Sequence, residues 1–193
     1  MRIVKIEVPV YKYAELSDNA KEAAKSNILS ITRNAQDFTD SVKHTLDALG
    51  VKESEVYYSL GNCQGDGLCF TGRITWNKAM KISYIKNSVN KLDKVFVACC
   101  EDCVHSINFY KFNRMYNYCH TVTVEFEDSS WMPSVNFTKL KDIFLNWYEA
   151  LCAKFEKQGY KWFYEISEED VTEYCNNNDI EFTADGNVFI EPT

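Results

Sequence analysis

The sequence predicts an α+β domain: a central antiparallel β-sheet, two N-terminal helices and a long late helix. Three observations carry that expectation. Residues 68–76 alternate, with Leu68, Phe70, Gly72, Ile74 and Trp76 on one face and Cys69, Thr71, Arg73 and Thr75 on the other. The tight turn Gln64-Gly65-Asp66-Gly67 separates that run from an apolar run at 56–60, which makes the two a β-hairpin. Phe137, Leu140, Phe144, Trp147, Leu151 and Phe155 recur at helical spacing, with Ile143 and Tyr148 widening the stripe.

The elements follow in order. Residues 2–10 put Val4, Ile6, Val8 and Val10 on one face and Lys5 and Glu7 on the other, the pattern of a half-buried strand. Ser17 caps a helix reaching about residue 31, with Leu16 before it as a staple residue. A second helix covers about 36–49 through Phe38, Val42, Leu46 and Leu49, and Gly50 supplies its stop. After the hairpin, residues 81–98 leave helix and strand both open; Val95-Phe96-Val97 suits either. Residues 104–112 and 121–126 read as two more strands. The long helix spans 138–158 and Gly159 ends it. Ser167 starts a short helix to about residue 176, and 181–189 closes as a hairpin on Asp185-Gly186.

A chain of 193 residues suits one domain, 1–193, with 160–193 as an acidic helix-and-hairpin subregion. That length buries a core without disulfides. The eight cysteines are therefore read as free thiols of a reducing compartment. Lys5 and Glu7 break the first apolar run, so no signal peptide is expected, and no window nears the about 18 apolar residues of a membrane span. The expected location is the cytoplasm. The net charge of −7 is uneven. Residues 160–193 set Lys161 against nine carboxylates, whereas 73–94 sets six basic residues against Asp93. Such an asymmetry favours charged partners, although solvated faces produce it too.

Four constellations bear on chemistry. In Gln64-Gly65-Asp66-Gly67 the glycines permit the positive φ of a turn. The functional alternative makes Asp66, beside Gln64, a metal ligand or general base. A strand follows rather than a helix, which argues against a phosphate cradle. Cys100-x2-Cys103 with Cys119-His120 is the zinc candidate, since zinc takes four N or S donors. Adjacent residues on a strand face opposite ways and rarely both reach one ion, which counts against Cys119 with His120 but leaves open a site of Cys100, Cys103, Cys119 and one histidine. The default is free thiols and no cofactor. Glu165, Glu168, Glu169, Asp170, Glu173, Asp179, Glu181 and Asp185 are the candidate partner-binding residues, offering phosphate-like charge to a basic groove. A helix N-terminus also attracts Glu168-Glu169-Asp170 for purely structural reasons. Arg73, Lys78, Lys81 and Lys86, with Trp76 and Tyr84 among them, are the nucleic-acid candidates, set against the acidic balance of the whole chain. No GxSxG or HExxH motif is present, so an enzyme is the less favoured class.

Three segments carry a resemblance. Tyr13-Ala14-Glu15-Leu16-Ser17-Asp18-Asn19-Ala20-Lys21-Glu22-Ala23-Ala24 resembles the opening of a family of small phage and prophage proteins. Those proteins are often labelled hypothetical or "antitoxin of toxin–antitoxin stability system". Tyr58-Ser59-Leu60-Gly61-Asn62-Cys63-Gln64-Gly65-Asp66-Gly67-Leu68-Cys69-Phe70-Thr71-Gly72 is similar to their central segment, and 174–186, with Phe182-Thr183-Ala184-Asp185-Gly186, to their close. The chain departs from them at Gly61-Asn62 and at Ile180. The resemblance implies a phage-borne protein acting in the cytoplasm of a bacterial host, and it brings no catalytic set. The preferred expectation is a non-enzymatic inhibitor of host defence, anti-CRISPR-like, that binds a CRISPR effector or another nuclease. The alternatives are a metal- or thiol-dependent enzyme acting on nucleic acid or nucleotide, and a nucleic-acid-binding regulator or antitoxin.

Overall fold

The computed structural model describes residues 7–112, 115–127 and 134–191. In chain order the elements are α1 (Asp18–Thr32), α2 (Ala35–Leu49), β1 (Val51–Ser59), β2 (Gly67–Thr75), α3 (Trp76–Ala79), α4 (Ser83–Val89), α5 (Lys94–Cys103), β3 (Ser106–Lys111), β4 (Val122–Phe126), α6 (Ser134–Tyr164) and α7 (Glu168–Asn177). Short 3-10 turns lie at Tyr13–Glu15 and Cys119–Thr121. The architecture is the expected α+β one, with an antiparallel sheet ordered β1-β2-β3-β4. The chain forms two compact units: residues up to Ala35 with those from Tyr160 onward, and Gln36–Gly159. Among the described residues no helix is long and apolar enough to cross a membrane.

Within Gln36–Gly159, α2 buries Phe38, Val42 and Leu46 at four-residue spacing, and Gly50 ends it at φ +91. β1 and β2 pair from Val51↔Ile74 to Ser59↔Gly67. β1 starts earlier than the apolar run at 56–60 suggests. Lys52, Glu53 and Glu55 lie exposed on this edge strand, and Glu53 takes φ 54 at a register shift, so the local pattern is broken and polar. β2 departs from strict alternation because Leu68, Cys69 and Phe70 are all buried. The approach to β4 covers its second face: Thr121 Oγ1 lies 3.8 Å from Cys69 Sγ. Residues 81–98 form α4 and the start of α5. The Asp93 carboxylate accepts from the Phe96 N–H at 2.9 Å, and that cap prevails over the β-branched Val95 and Val97.

α6 presents Leu140, Phe144, Tyr148, Cys152 and Phe155, all buried, as one row. The Tyr148 ring stacks on Phe109 at 5.2 Å and tilts against Phe70 at 4.5 Å. Its hydroxyl accepts from the Phe70 N–H at 2.9 Å and donates to the Phe70 carbonyl at 2.8 Å. The cause lies in the sheet. β2 and β3 pair only from Gly72↔Phe109 to Thr75↔Ser106, so the ladder stops short of Phe70. The tyrosine hydroxyl supplies the partners that the ladder lacks. Gly159 does not end α6, which runs to Tyr164. It is needed for space: a Cβ there would sit 2.4 Å from Leu60 Cδ1 and 2.9 Å from Phe38 Cζ.

In the other unit, Tyr13, Leu16, Ala20, Ala24 and Ile28 pack with Val171, Cys175 and Phe182 into a core. Ser17 caps α1 by accepting from the Ala20 N–H at 3.4 Å. The strand expected over 2–10 lies partly outside the described residues, and 7–10 are not a strand. Among the described residues of this segment the ladder contact is at Tyr11, which exchanges two 2.9 Å hydrogen bonds with Phe182. The expected hairpin at 181–189 is present as a bridge between Phe182 and Val188, flanked by the Phe189 N–H donating to the Glu181 carbonyl at 2.8 Å and the Thr183 N–H to the Asn187 carbonyl at 2.9 Å. It closes on Gly186, whose N–H donates to the Thr183 carbonyl at 2.9 Å. This unit holds seven basic against thirteen acidic residues, which is most of the chain's net −7.

Candidate functional site

α7 is built from its own sequence. Ser167 Oγ accepts from the Asp170 N–H at 3.0 Å, and Val171 and Cys175, four residues apart, face the core. At about 3.6 residues per turn, Glu169, Glu173 and Asn176 fall on the opposite side. Glu168, Glu169, Asp170 and Glu173 are all exposed. Glu168 lies 3.9 Å from Lys21. Glu169, Asp170 and Glu173 have no ion-pair partner among the described residues. The three acids of the first turn favour the helix electrostatically, but Glu173, mid-helix, has no such role.

Two depressions border these carboxylates. One, of about 480 Å³, is lined by Glu168, Glu169, Thr172, Glu173, Asn176 and Asn177. The other, of about 270 Å³, includes Asp170, Glu173, Asn178 and Arg33. The Arg33 guanidinium is held 4.4 Å over the Trp162 ring. Carboxylates that only accept, beside amides that accept and donate, suit the lysines and arginines of a partner. Glu165 and Asp179 are exposed at either end of α7. Glu181 and Asp185 are engaged locally instead. Glu181 pairs with Lys12 at 3.3 Å. Asp185 accepts from the Thr183 hydroxyl and from Asn187 Nδ2, and the Thr183 bond chiefly holds its carboxyl below the usual range. Sequence reasoning missed Arg33 and the amides of 176–178. The run of three asparagines ending an amphipathic helix was the available signal.

Asp66 proves to be a turn former. Its Oδ1 accepts from the Ser59 hydroxyl at 3.1 Å and the Cys63 thiol at 3.2 Å, and its Oδ2 from the Cys63 N–H at 3.0 Å. Gly65 takes φ +96, and a Cβ on Gly67 would lie 2.5 Å from Tyr118 Cβ. Gln64 is exposed at the loop tip. Burial, and then the charge of Asp66, push up the Glu156 carboxyl.

The structure does not assemble Cys100, Cys103, Cys119 and His120. Among the described residues no group of three or more His, Cys, Asp or Glu side chains is placed to hold a metal ion. The C-x2-C pair sits on α5 rather than in a knuckle, with Cys100 in the core. Cys119 lies in the 3-10 turn within the fields of Glu149 and Glu156, and His120 Nδ1 is 3.3 Å from Glu149. Burial pushes the Cys100 thiol up to about 11 and raises Cys69, Cys119, Cys152 and Cys175. A hydrogen bond to Asp66 raises Cys63. Each shift favours the neutral thiol, whereas a nucleophile or ligand requires thiolate.

The basic candidates are dispersed over β2, α3, the turn after it and α4. Arg73 is committed to Glu53, 2.6 Å from its carboxylate. Lys78, Lys81 and Lys86 are exposed without an ion pair among the described residues. Trp76 is buried, which leaves Tyr84 as the accessible aromatic of this segment.

No curated protein and no solved structure matches the chain. A family model matches residues 34–179, which run from α2 through α7. The chain thus belongs to the family of that model, DUF8835, a domain of unknown function.

Proposed function

We propose that this protein is a non-enzymatic binding protein whose α7 face docks on a basic, nucleic-acid-binding surface of another protein. One observation carries the reading: Glu169, Asp170 and Glu173 are exposed without an ion-pair partner among the described residues, beside Glu168. The ten residues of α7 span about 15 Å at about 1.5 Å each. The four carboxylates fall within its first six residues, about 7.5 Å of that axis, so their charge is at least as dense as the one per about 3.4 Å of one DNA strand. The neutral thiols and the turn-bound Asp66 weigh against an enzyme. The resemblance to phage proteins suggests the setting, a host-defence nuclease such as a CRISPR effector in the bacterial cytoplasm. The test is capture from host lysate on the immobilised chain and on a variant with Glu168→Gln, Glu169→Gln, Asp170→Asn and Glu173→Gln. The expected result is a defence nuclease retained by the native chain and lost from the folded variant. Retention of no such protein by the native chain removes the reading.

A second reading rests on Lys78, Lys81, Lys86, Lys91 and Lys94, which are exposed with no ion pair among the described residues. If they track a nucleic-acid backbone, log affinity falls against log salt with a slope of about −4. A salt-independent or absent affinity counts against it.

A further inference from the structure

The gap between β2 and β3 has a second side. Tyr148 fills it from the face that carries Phe70 and Phe109. Thr71 and Tyr110 alternate with those residues and project from the opposite face. Tyr57, opposite Cys69 in the register, shares that outer face. Where the strands part lies a cavity of about 550 Å³, lined by Tyr57, Thr71, Phe109, Tyr110, Lys111 and Asn117. Its size falls within the about 300–1,000 Å³ of small-molecule sites.

Its lining is chemically specific. Tyr57 and Tyr110 are 37% and 58% exposed, and neither packs on another aromatic ring among the described residues. Lys111 brings a half-buried positive charge. Its ammonium donates to the Tyr116 carbonyl and, at 2.9 Å, to Asn117 Oδ1, and it stands 5.0 Å over the Tyr57 ring. Its charge also reaches the Cys69 thiol, where it opposes the upward push of burial. No carboxylate among the described residues is within ion-pair distance of it. Neutral oxygens fix the ammonium in place without cancelling its charge. Asn117 is itself fixed, donating to the Tyr58 carbonyl at 3.3 Å.

From this lining we propose that the cavity binds a planar aromatic ring bearing an anionic group, the chemistry of a nucleotide. The ring lies against Tyr57 and Tyr110, the anion meets Lys111 Nζ, and Thr71 and Asn117 meet the polar edge of the ring. The nucleotide is either free or part of a single strand. The site is independent of the α7 face.

The test is a set of nitrogen-edited NMR titrations of the full chain. The probes are 5′-mononucleotides of the four bases, the matching nucleosides, inorganic phosphate and a short single-stranded oligonucleotide. The expected result is saturable shifts at Tyr57, Thr71, Tyr110 and Lys111 with a mononucleotide, and weaker binding of nucleoside or phosphate alone. Tighter binding of the oligonucleotide assigns the nucleotide to a strand; equal or weaker binding assigns it to the free form. Tyr110→Ala, an exposed change, weakens binding about tenfold or more, the scale of a lost stacking partner. Lys111→Met does the same for the nucleotide but not for the nucleoside. No shift with any probe, shifts elsewhere, equal binding of phosphate and nucleotide, or unchanged affinity in a folded Tyr110→Ala chain overturns the proposal.

Discussion

Replacing Tyr148 by Phe tests the link between the long helix and the sheet. The change keeps the ring that stacks on Phe109 and removes only the hydroxyl that serves the Phe70 N–H and carbonyl. Both backbone groups lie in a residue that is 0% exposed, so water does not replace the lost partner. A buried polar group left without a partner costs about 1–3 kcal/mol, and two are exposed to that cost here. Some relaxation of the strand lowers the sum, giving an expected loss of roughly 2–4 kcal/mol. At about 2–4 °C per kcal/mol for a chain of this size, the melting temperature falls by roughly 4–16 °C. Urea unfolding followed by circular dichroism measures the loss directly, and the denaturant slope should stay constant. A loss under about 0.5 kcal/mol, the range of an ordinary surface change, would refute the assignment of that hydroxyl to the gap in the ladder.

Four further outcomes are expected. Gly159→Ala places a Cβ 2.4 Å from Leu60 Cδ1 and 2.9 Å from Phe38 Cζ. Overpacking of about 1–3 kcal/mol then outweighs the about 1 kcal/mol that alanine gains in a helix, and a raised melting temperature would contradict this. Cys100, raised to about 11 from 9.0, stays protonated in the folded chain while the unfolded chain ionises first. Its contribution is complete below about pH 9 and is lost as pH rises towards 11, so between pH 8 and pH 10 the native chain loses about 1 kcal/mol more than Cys100→Ala in urea titrations. Thiol titration with an aromatic disulfide should modify exposed Cys63 before buried Cys69, Cys100, Cys152 and Cys175. Asp66→Asn removes the negative charge that strengthens the hydrogen bond from Cys63 and raises its thiol, and so speeds its reaction at pH 8; a slower reaction would count against that assignment.

Local signals revealed the elements whose stabilisation is local. Ser17 and Ser167 cap α1 and α7 as their positions imply, and the stripes of α2 and α6 face the core. Elements whose form depends on distant partners were hidden. The bulge at Glu53 and the exposure of an edge strand masked the start of β1, and valines at 95 and 97 masked a helix that Asp93 caps. Alternation over 2–10 suggested a strand, but among the described residues its ladder contact is at Tyr11, and the hairpin read from Asp185-Gly186 is held by one bridge, Phe182 with Val188, rather than by two full strands. Gly159 reads as a terminator because its neighbours Leu60 and Phe38 come from far along the chain. The α7 carboxylates were legible as a charge run, whereas Arg33 among them was not. The cavity at Lys111 was illegible for a related reason: it exists because two strands stop pairing.

The most direct test of the binding role is phage plating on a bacterial strain with an active CRISPR defence. The strain expresses either the native chain or the folded variant with Glu168→Gln, Glu169→Gln, Asp170→Asn and Glu173→Gln. The account predicts that the native chain restores plating of a targeted phage and that the variant does not. No restoration by the native chain, or equal restoration by both, contradicts it.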